Sequence, residues 1–526
     1  MKIISSVNYW RTLVASMAIM TSMNISTLYA AVYTNANVAA DLTNATRWIG
    51  GVVPGTGATG VWDNVLSTAA NCTNSTGSST FKLNTFSILD PISDVNISYP
   101  ASVNLFVNID MSRATKDLAI GGTGDLWYDQ GSGTATVTNG RTLMFTSVMK
   151  IRKSFALTLD GAGTVAYTNG IQLGWTEGPG TLNLLAGVLT NSKAASTFIV
   201  SSGGSGSPVG STVNQSNGVN YAQAVSFEGS YGTACYNLAG GTLYLGSNMY
   251  LGNNGNQNAG KSLLNVTGGT LIQTSGNFGI GNRYCTNGAT YVQSGNSTVT
   301  ANVFRITSAQ SAMIGNFILS NGTFYASSFD KLADSQDAKT ELKFTGGVAT
   351  LPAFPTNRGV NASAIVTFDG GTLSPRASTN GYLRGLTAAY MTTNGAVFDT
   401  AGYDITISQK LEDFSGHTGR LVKKGAGTLT LSGTNTYSGA TIVTNGVLSQ
   451  IHEQCLSASS TVYLYSTATN NLSFEGTNTI RRLYVDNVLQ QEKKAYGKAK
   501  IAVLSGNGYY YVTEGAKTPG TLVSFF

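Results

Sequence analysis

One short phrase recurs through the middle of the sequence and constrains the fold more than any other feature. Alternating apolar and polar residues lead into a pair of Gly or Asn residues, followed by another apolar position. Six clear copies occupy residues 237–243, 265–271, 292–299, 318–324, 344–351 and 368–373. The second members of the pairs recur at a nearly constant interval and are Gly241, Gly269, Asn296, Gly322, Gly347 and Gly371. Less regular copies of the phrase lie upstream, at residues 137–143, 159–165, 184–189 and 215–221. Such self-similarity indicates a repeat architecture.

The interval of roughly 25 residues is typical of one coil of a β-solenoid. The alternating positions predict short strands with one buried face. Gly or Asn between two strands supplies the positive φ that a tight corner needs. One coil cannot bury its inward face alone, whereas stacked coils share a continuous apolar core. Outward Thr and Asn side chains can form ladders along the stack. We therefore predict an all-β protein, a parallel β-helix (β-solenoid).

Two other architectures fit less well. A leucine-rich repeat has a similar period, but its helix and its LxxLxL phrase are missing here. Separate β-sandwiches would need units of about 100 residues. Composition favours the solenoid, because Gly is abundant (63 residues), Pro is scarce (9) and charged residues make up only 11%, against about 25% in a typical soluble protein. With 42% hydrophobic residues, the chain has enough apolar surface to fold, which argues against disorder.

The first thirty residues are typical of a secretory signal peptide. Lys2 and Arg11 precede an apolar run over residues 12–30, which ends in small residues before Ala31. A membrane anchor is the alternative, but Asn24 and Ser26 make this run a poor membrane span. We expect export and no transmembrane span after cleavage. Removal of Lys2 and Arg11, with no acid in this segment, lowers the formal charge from +6 to +4, which is too small to imply a nucleic-acid partner.

The cysteines are sparse and have no metal-binding spacing. They are Cys72, Cys235, Cys285 and Cys455, and four cysteines allow three pairings. Export would permit oxidation. Cys235 and Cys285 are separated along the chain by about two coils, so stacking could bring them close. Buried free thiols are the alternative.

Residues 420–449 resemble the autotransporter-associated β-strand repeat, also called the passenger-associated transport repeat. The matching positions are Gly425, Gly427, Thr428, Leu429, Leu431, Gly433, Asn435, Thr436, Tyr437, Gly439, Thr441, Val443, Gly446 and Leu448. The segment predicts one more coil, with Leu429 and Leu431 inward and Tyr437 packing a corner. Residues 472–498, with Tyr496 and Gly497, resemble the segment that closes many such proteins. The resemblance implies a secreted β-helical stalk of bacterial surface proteins, in which the repeat assists export and folding.

The chain departs from that family in one respect. Autotransporters usually end in a translocating barrel of roughly 250 residues, built from strands of about ten residues. Only the segment 450–526 follows the repeat, and it is too short to form such a barrel. We therefore expect the protein to stay in the periplasm or to reach the outer surface through separate machinery.

These signals divide the chain into five parts. Residues 1–30 are the signal peptide, 31–150 the N-terminal cap and first β coils, and 151–400 the β-helix ladder. Residues 401–449 contain the autotransporter-associated repeat, and 450–526 form a small C-terminal β cap. Within the ladder, the charged segment 329–343 has a helix-like composition and predicts an excursion from one coil.

The sequence contains no strong catalytic, metal or cofactor motif, so we predict a protein without enzyme activity, metal or cofactor. The two histidines are His417 and His452, and His452 with Glu453 and Cys455 is a weak metal fragment. GxSxG and Walker motifs are missing. Residues 121–129 resemble a calcium-binding nonapeptide, but in one copy and with the aspartate one place early.

A carbohydrate-active enzyme is the alternative, because a polysaccharide lyase or glycosidase can use a β-helix scaffold. Glycosidases need paired carboxylates, and the ladder holds few acids. Asp330, Asp334, Asp337 and Glu341 cluster in sequence, but Lys331, Lys339 and Lys343 lie between them, which favours a solvated charged surface. Asp369 is the other acid that we consider as a catalytic candidate.

Tyrosine is abundant, with 25 residues, and exposed tyrosines can stack on sugars while their hydroxyls form hydrogen bonds. The candidates are Tyr244, Tyr250, Tyr291 and Tyr325 in the ladder and residues 509–511 near the C-terminus. Half-buried strand packing is the alternative for each. We predict an exported structural or adhesive protein of the outer membrane or cell surface, with a glycan or another surface component as partner. A secretion stalk without a ligand is a third possibility.

Overall fold

The computed structural model describes residues 106–517 except for 175–177, 192, 194–196, 201–209, 229–231, 254–259, 284–285 and 309–311. Before residue 106 it describes five strands and Ser102. The predicted signal peptide lies outside the described residues. The chain forms a β-solenoid of about 14 turns, without a helix in the described part. The predicted fold class is therefore confirmed.

Each turn contributes up to three strands, which pair in parallel with strands of the turns before and after and so form three faces. Face A consists of Val32–Thr34, Thr59–Trp62, Leu83–Ile88, Phe106–Met111, Ser132–Val137, Phe155–Asp160, Gly180–Leu184, Thr212–Gln215, Thr233–Leu238, Lys261–Val266, Ala289–Gln293, Ile314–Leu319, Lys339–Phe344, Ser363–Phe368, Ala388–Met391 and Glu412–Asp413.

Face B follows face A in each turn. It consists of Asn71–Thr73, Val95–Tyr99, Leu118–Gly122, Thr142–Phe145, Thr164–Tyr167, Val188–Asn191, Val219–Ala222, Thr242–Leu245, Thr270–Gln273, Thr298–Ile306, Thr323–Leu332, Val348–Leu351, Thr372–Pro375, Ala396–Asp399, Leu421–Lys424, Ala440–Val443, Thr461–Leu464 and Arg482–Val485.

Face C follows face B and has two ladders. The first consists of Leu126–Asp129, Met149–Arg152, Ile171–Leu173, Thr197–Val200, Ala224–Phe227, Met249–Asn253 and Asn277–Arg283, and it continues into the second halves of Thr298–Ile306 and Thr323–Leu332. The second consists of Thr379–Leu383, Ile405–Ile407, Thr428–Leu431, Gly446–Gln450, Ala468–Leu472 and Leu504–Gly506.

The repeated phrase aligns residue for residue across the rungs of face A. The inward position is occupied in turn by Leu238, Val266, Gln293, Leu319, Phe344 and Phe368. All six side chains are buried, so consecutive copies cover one another from water. The periodicity in sequence is thus the periodicity of the stack.

Glycines of the repeated phrase form the corners between strands. Gly241 and Gly269 have φ of 71° and 68°, and a Cβ added to Gly269 would lie 2.5 Å from the carbonyl oxygen of Gly241. In the third and sixth copies the first member of the pair forms the corner. Gly295 and Gly370, the first members, adopt the positive φ, and Asn296 and Gly371 do not. A corner needs one left-handed residue, and either member of the pair can supply it.

Side-chain amides form a ladder on the outer surface of face A, as predicted. Asn183, Asn214, Asn237 and Asn265 occupy one outward column in register. Each Nδ2 donates to the Oδ1 of the preceding asparagine, at 2.9 Å for Asn214 and 2.8 Å for Asn237 and Asn265. The ladder links four consecutive rungs.

Replacement of Asn237 by alanine should break two bonds of this ladder. Because each bond is only partly shielded from water, we expect the local stability to fall by about 1 kcal/mol. Native-state hydrogen exchange of the amides in 233–266 measures this loss. Thr233→Ala, at an exposed outward position of the same strand, is the control. Equal effects of the two substitutions would show that the ladder contributes nothing.

The parallel pairing of strands continues past residue 449, where the C-terminal β cap was expected to begin. Ala440–Val443 pairs in parallel with Thr461–Leu464, which pairs with Arg482–Val485. Antiparallel pairing appears only beyond this point among the described strands, between Arg482–Val485 and Val488–Leu489 and within a three-stranded sheet of Thr477–Ile480, Tyr509–Val512 and Lys494–Tyr496. At the other end, Val32–Thr34 already pairs in parallel with Thr59–Trp62.

The charged segment 329–343 is not a helical excursion, and that expectation was wrong. Thr323–Leu332 and Lys339–Phe344 are strands of the ladder. Leu342 and Phe344 point inward while Glu341 and Lys343 lie at the surface. The period-two placement of apolar residues outweighed the helix-like composition.

Candidate functional site: a tyrosine-lined pocket on face B

Two tyrosine rings stack on the outer surface of face B. Tyr221 and Tyr244 occupy outward positions of adjacent strands and are in register. Their ring centroids lie 4.8 Å apart, with planes inclined by 8°. This spacing matches the distance of about 4.8 Å between paired strands, so the backbone register itself sets the stack. Tyr221 is 45% exposed.

The stacked pair lines a pocket of about 470 Å³ at the end of the two strands. Asn191 and Lys193 line it from the preceding turn, and Thr274 from the following turn. The Oδ1 of Asn191 accepts a hydrogen bond of 2.8 Å from the backbone N–H of Lys193. Gln223 extends over Gly246, where an added Cβ would lie 2.4 Å from its Oε1.

The lining suits a ligand with both apolar and hydroxyl-bearing surfaces. Each ring of the pair uses one face for its partner, so the other face points along the solenoid toward a neighbouring turn. Tyrosine combines an apolar ring with a hydroxyl that can donate and accept. The amides of Asn191 and Gln223 add donors and acceptors. Sugar rings present this combination of C–H faces and hydroxyl groups.

The other tyrosines predicted from sequence have different roles. Tyr291 is buried, and its hydroxyl donates to Oε1 of Gln293 at 2.7 Å. The hydroxyl of Tyr250 accepts from Nδ2 of Asn277 at 2.8 Å. The Arg376 guanidinium covers the ring of Tyr325 at 4.8 Å.

Near the C-terminus, Tyr510 is buried, while Tyr509 and Tyr511 are 47% and 38% exposed. Only Tyr244 of the predicted set lines the pocket. Sequence reasoning missed Tyr221, which lies in one of the less regular phrases. Tyr221 and Tyr244 follow Gly218 and Gly241 at the same distance, which indicates equivalent positions in two coils but not the register that stacks the rings.

The repeat residues singled out in 425–448 build one coil and its corners. Leu429, Leu431 and Leu448 are buried in face C, and Thr428 is a half-buried outward residue of the same face. The hydroxyls of Tyr437 and Thr441 lie 2.6 Å apart in the interior. Val443 is also buried.

Several residues of the repeat hold the corners. Gly425, Gly427 and Gly446 have positive φ, while Cβ atoms added to Gly433 and Gly439 would lie 2.9 and 2.4 Å from carbonyl oxygens of the preceding turn. Asn435 Nδ2 donates to the Cys455 carbonyl at 2.7 Å and its Oδ1 accepts from Leu411 N–H at 2.8 Å. The N–H of Thr436 donates to the Leu411 carbonyl oxygen at 3.0 Å.

A buried lysine lies at the start of this repeat and was not predicted. Lys423 is fully buried, and its Nζ donates to the carbonyl oxygens of Lys424, Gly425 and Asn445 at 3.0, 2.7 and 3.0 Å. Burial lowers the pKa of Lys423 to about 8, and the carboxylates of Asp399 and Asp404 oppose this shift. The ammonium group thus joins two corners from the inside.

Four of the five acidic residues considered for catalysis have separate side-chain partners. Asp330 pairs with Arg305 at 2.7 Å and Glu341 with Lys343 at 3.1 Å, and Asp334 pairs with Lys331. The backbone N–H of Asp337 donates to the Val360 carbonyl at 2.8 Å. Asp369 accepts from Nδ2 of Asn394 at 2.8 Å.

The side chains in the weak metal-binding motifs contact other protein groups. In the segment 121–129, Asp125 pairs with Lys150 at 2.8 Å and Asp129 with Arg152 at 2.6 Å. The Nε2 of His452 lies 3.2 Å from the Ser432 carbonyl oxygen, and Cys455 donates to the Leu431 carbonyl. His417 lies near the hydroxyl of Thr393. Among the described residues, no group of three His, Cys, Asp or Glu side chains could hold a metal ion.

Cys235, one member of the considered Cys235–Cys285 pair, is a free thiol, as is Cys455. Cys285 itself lies outside the described residues, and Cys72 lies in strand Asn71–Thr73.

The in-register parallel ladders define the class of this protein, a β-solenoid. Within it, the family model of the passenger-associated-transport-repeat matches residues 421–449, which confirms the resemblance inferred from the glycines and leucines of that segment. Fold and repeat together support a passenger-like surface protein, and the repeat family suggests export. No curated protein and no solved structure matches the chain. None of the described segments is a helix with the length and apolarity needed to cross a membrane.

Proposed function

We propose that this protein is a non-enzymatic adhesive solenoid of the cell surface that binds glycan at the Tyr221–Tyr244 pocket. The observation that carries the proposal is the stacked, solvent-accessible ring pair beside Asn191 and Gln223. Parallel rungs hold both rings in place before any ligand arrives, which reduces the conformational entropy lost on binding. Aromatic rings with nearby amides supply stacking and hydrogen bonds to a sugar.

The separate engagement of the acids favours binding over catalysis. A glycosidase needs two carboxylates facing one bond, about 5 to 10 Å apart. The Asp330 and Glu341 carboxylates each have a basic partner on the surface. Because these ion pairs neutralise the acids one by one, they support the non-enzymatic alternative.

Replacement of both Tyr221 and Tyr244 by alanine should abolish glycan binding, and each single replacement should weaken it about twofold to tenfold, since an aromatic stacking contact contributes roughly 0.5–1.5 kcal/mol. The measurement is a screen of the full-length chain against immobilised mucin and plant polysaccharides, followed by titration of the polymers that are retained. Release of reducing ends is recorded in parallel as a test for hydrolysis.

Tyr463 and Tyr484 supply a matched control. They form a second stacked pair on face B, with centroids 4.6 Å apart and planes inclined by 9°, and they do not line the pocket. Tyr463→Ala should leave glycan retention unchanged. Retention by the Tyr221/Tyr244 double variant, loss in the Tyr463 variant, or depolymerisation by the wild type would each contradict the proposal.

A further inference from the structure

We infer that the glycan site extends along the outside of face B from the Tyr221–Tyr244 pair to Tyr325, and that its ligand is an extended linear polysaccharide laid along the solenoid axis. This extension rests on the glycan-binding function proposed above and specifies its ligand class. The surface that carries it, here called the face B strip, consists of Tyr221, Tyr244, Ile272, Thr300 and Tyr325.

The face B strip is one outward column of five consecutive rungs. Each of its residues is in register with the next, from Tyr221 to Tyr325. Because paired strands lie about 4.8 Å apart, the strip runs about 19 Å along the axis. A unit of an extended sugar chain spans about the length of one rung, so about four or five units would cover the strip. The shorter side chains of Ile272 and Thr300 lie between the aromatic ends, which leaves room for such a chain.

The surface beside the strip is rich in hydroxyl groups. A second outward column on the same five rungs consists of Val219, Thr242, Thr270, Thr298 and Thr323. Thr298 and Thr323 are exposed, and the hydroxyl of Thr323 donates to that of Thr298 at 3.3 Å. None of the side chains in the two columns carries a charge. The aromatic and aliphatic side chains offer apolar contacts and the threonines offer donors and acceptors, which together suit the C–H faces and hydroxyls of successive sugars.

Tyr325 ends the strip with a ring that is held in place. Arg376 follows a strand two rungs further along face B. Its guanidinium lies 4.8 Å from the centroid of the Tyr325 ring and donates to the Ser327 carbonyl oxygen. Because Arg376 approaches from the later turns, it leaves to a ligand the side of Tyr325 toward Thr300 and the tyrosine pair. Its other N–H groups can donate to sugar hydroxyls.

Oligosaccharides of increasing length measure the extent of the site. The probes are cello-, xylo- or galacturono-oligosaccharides from dimer to octamer, according to which plant polysaccharide the full-length chain retains. We expect the affinity to rise with each unit up to about the pentamer and then to level off, because units beyond the fifth rung contact nothing in the strip.

Tyr325→Ala separates the two ends of the strip. It should lower the affinity for the hexamer about twofold to tenfold, since one aromatic contact is lost, and leave the affinity for the dimer unchanged. Arg376→Gln should also weaken hexamer binding alone, because the ring of Tyr325 loses its support. Tyr463→Ala, at an outward position of face B outside the strip, is the control and should change neither affinity.

Equal affinities for dimer and hexamer, or a hexamer affinity that Tyr325→Ala does not change, would overturn the extended site and leave glycan binding intact. Retention of mucin alone, whose glycans are short and branched, would do the same. Loss of dimer and hexamer binding alike in Tyr325→Ala would show that the ring supports the fold rather than the ligand. Binding that persists after loss of both Tyr221 and Tyr244, or no retained polymer, would overturn the glycan-binding function itself.

Discussion

Replacement of Phe317 by alanine should destabilise the middle of the solenoid by about 4 kcal/mol. Phe317 is fully buried, and its ring lies 4.9 to 5.8 Å from the rings of Tyr291, Phe304, Phe324 and Phe344. These four belong to different strands of the same and adjacent turns. Removal of the ring leaves a cavity that rigid neighbouring rungs cannot fill, so the cost of the cavity adds to the lost burial.

The measurement is native-state hydrogen exchange over residues 289–344, because each turn of a solenoid contacts only its neighbours and stability is local. Ile318→Ala is the control, since Ile318 lies next to Phe317 on the outward side of the same strand and should cost less than about 1.5 kcal/mol. The exchange of amides around 440–472 should stay unchanged in both variants. Similar protection in the Phe317 and Ile318 variants would refute a shared aromatic interior.

Lys423→Met should destabilise the passenger-associated transport repeat by about 2 kcal/mol, because a buried acceptor left without its donor costs roughly 1–3 kcal/mol. Methionine keeps the volume of the side chain, but the Asn445 carbonyl loses its buried donor, while the carbonyls of Lys424 and Gly425 keep hydrogen bonds from Thr400. Lys424→Met is the control, because Lys424 has a side chain 42% exposed and only a 3.8 Å contact with Asp399, so its loss should cost less than about 1 kcal/mol.

The pH dependence provides a second readout for Lys423. Its pKa is about 8 in the folded protein and about 10.4 in an unfolded chain. Between these values the unfolded state binds more protons, so the stability of the repeat should rise as the pH increases from about 8 to about 10.4. The difference between wild type and Lys423→Met, followed by hydrogen exchange of residues 421–450 corrected for intrinsic rates, should show this rise. A difference that is flat or falls over this range would contradict the burial of the ammonium group.

The repeat phrase made the fold predictable because its apolar positions alternate and recur at one period. Leu238 and its counterparts in later copies had to point inward, since a shift by one residue would expose all of them. The glycines between the strands were also recognisable as corners, although not which member of the pair turns left-handed. The phrase itself does not indicate that choice, since Gly241 and Gly269 are second members of their pairs and Gly295 and Gly370 are first members.

The charged segment 329–343 shows where composition misled. Lysines and acids at every second or third position favour a helix when considered alone. In the ladder, Lys339–Phe344 pairs with strands on both sides, and its outward charges remain solvated or form ion pairs. Tertiary pairing thus decided the conformation of a segment whose local preference was weak.

The pocket could not be predicted for a related reason. The stretch of chain between Tyr221 and Tyr244 is shorter than the stretch between Asn183 and Asn214, although both pairs lie on adjacent rungs. Loops of different length separate the strands, so distance along the chain does not indicate which side chains stack. The same holds for Lys423, whose three acceptors belong to two turns.

The sequence by itself determined that this chain forms stacked β coils, which residues face the interior, and that residues 420–449 belong to a passenger-type repeat. These properties follow from local periodicity, because burial of alternate residues requires only that some neighbouring coil be present. The tertiary structure alone decided which outward residues meet, including the Tyr221–Tyr244 stack and the carbonyls around Lys423. Contacts between rungs are set by the register of backbone hydrogen bonds, and that register forms only when the coils assemble.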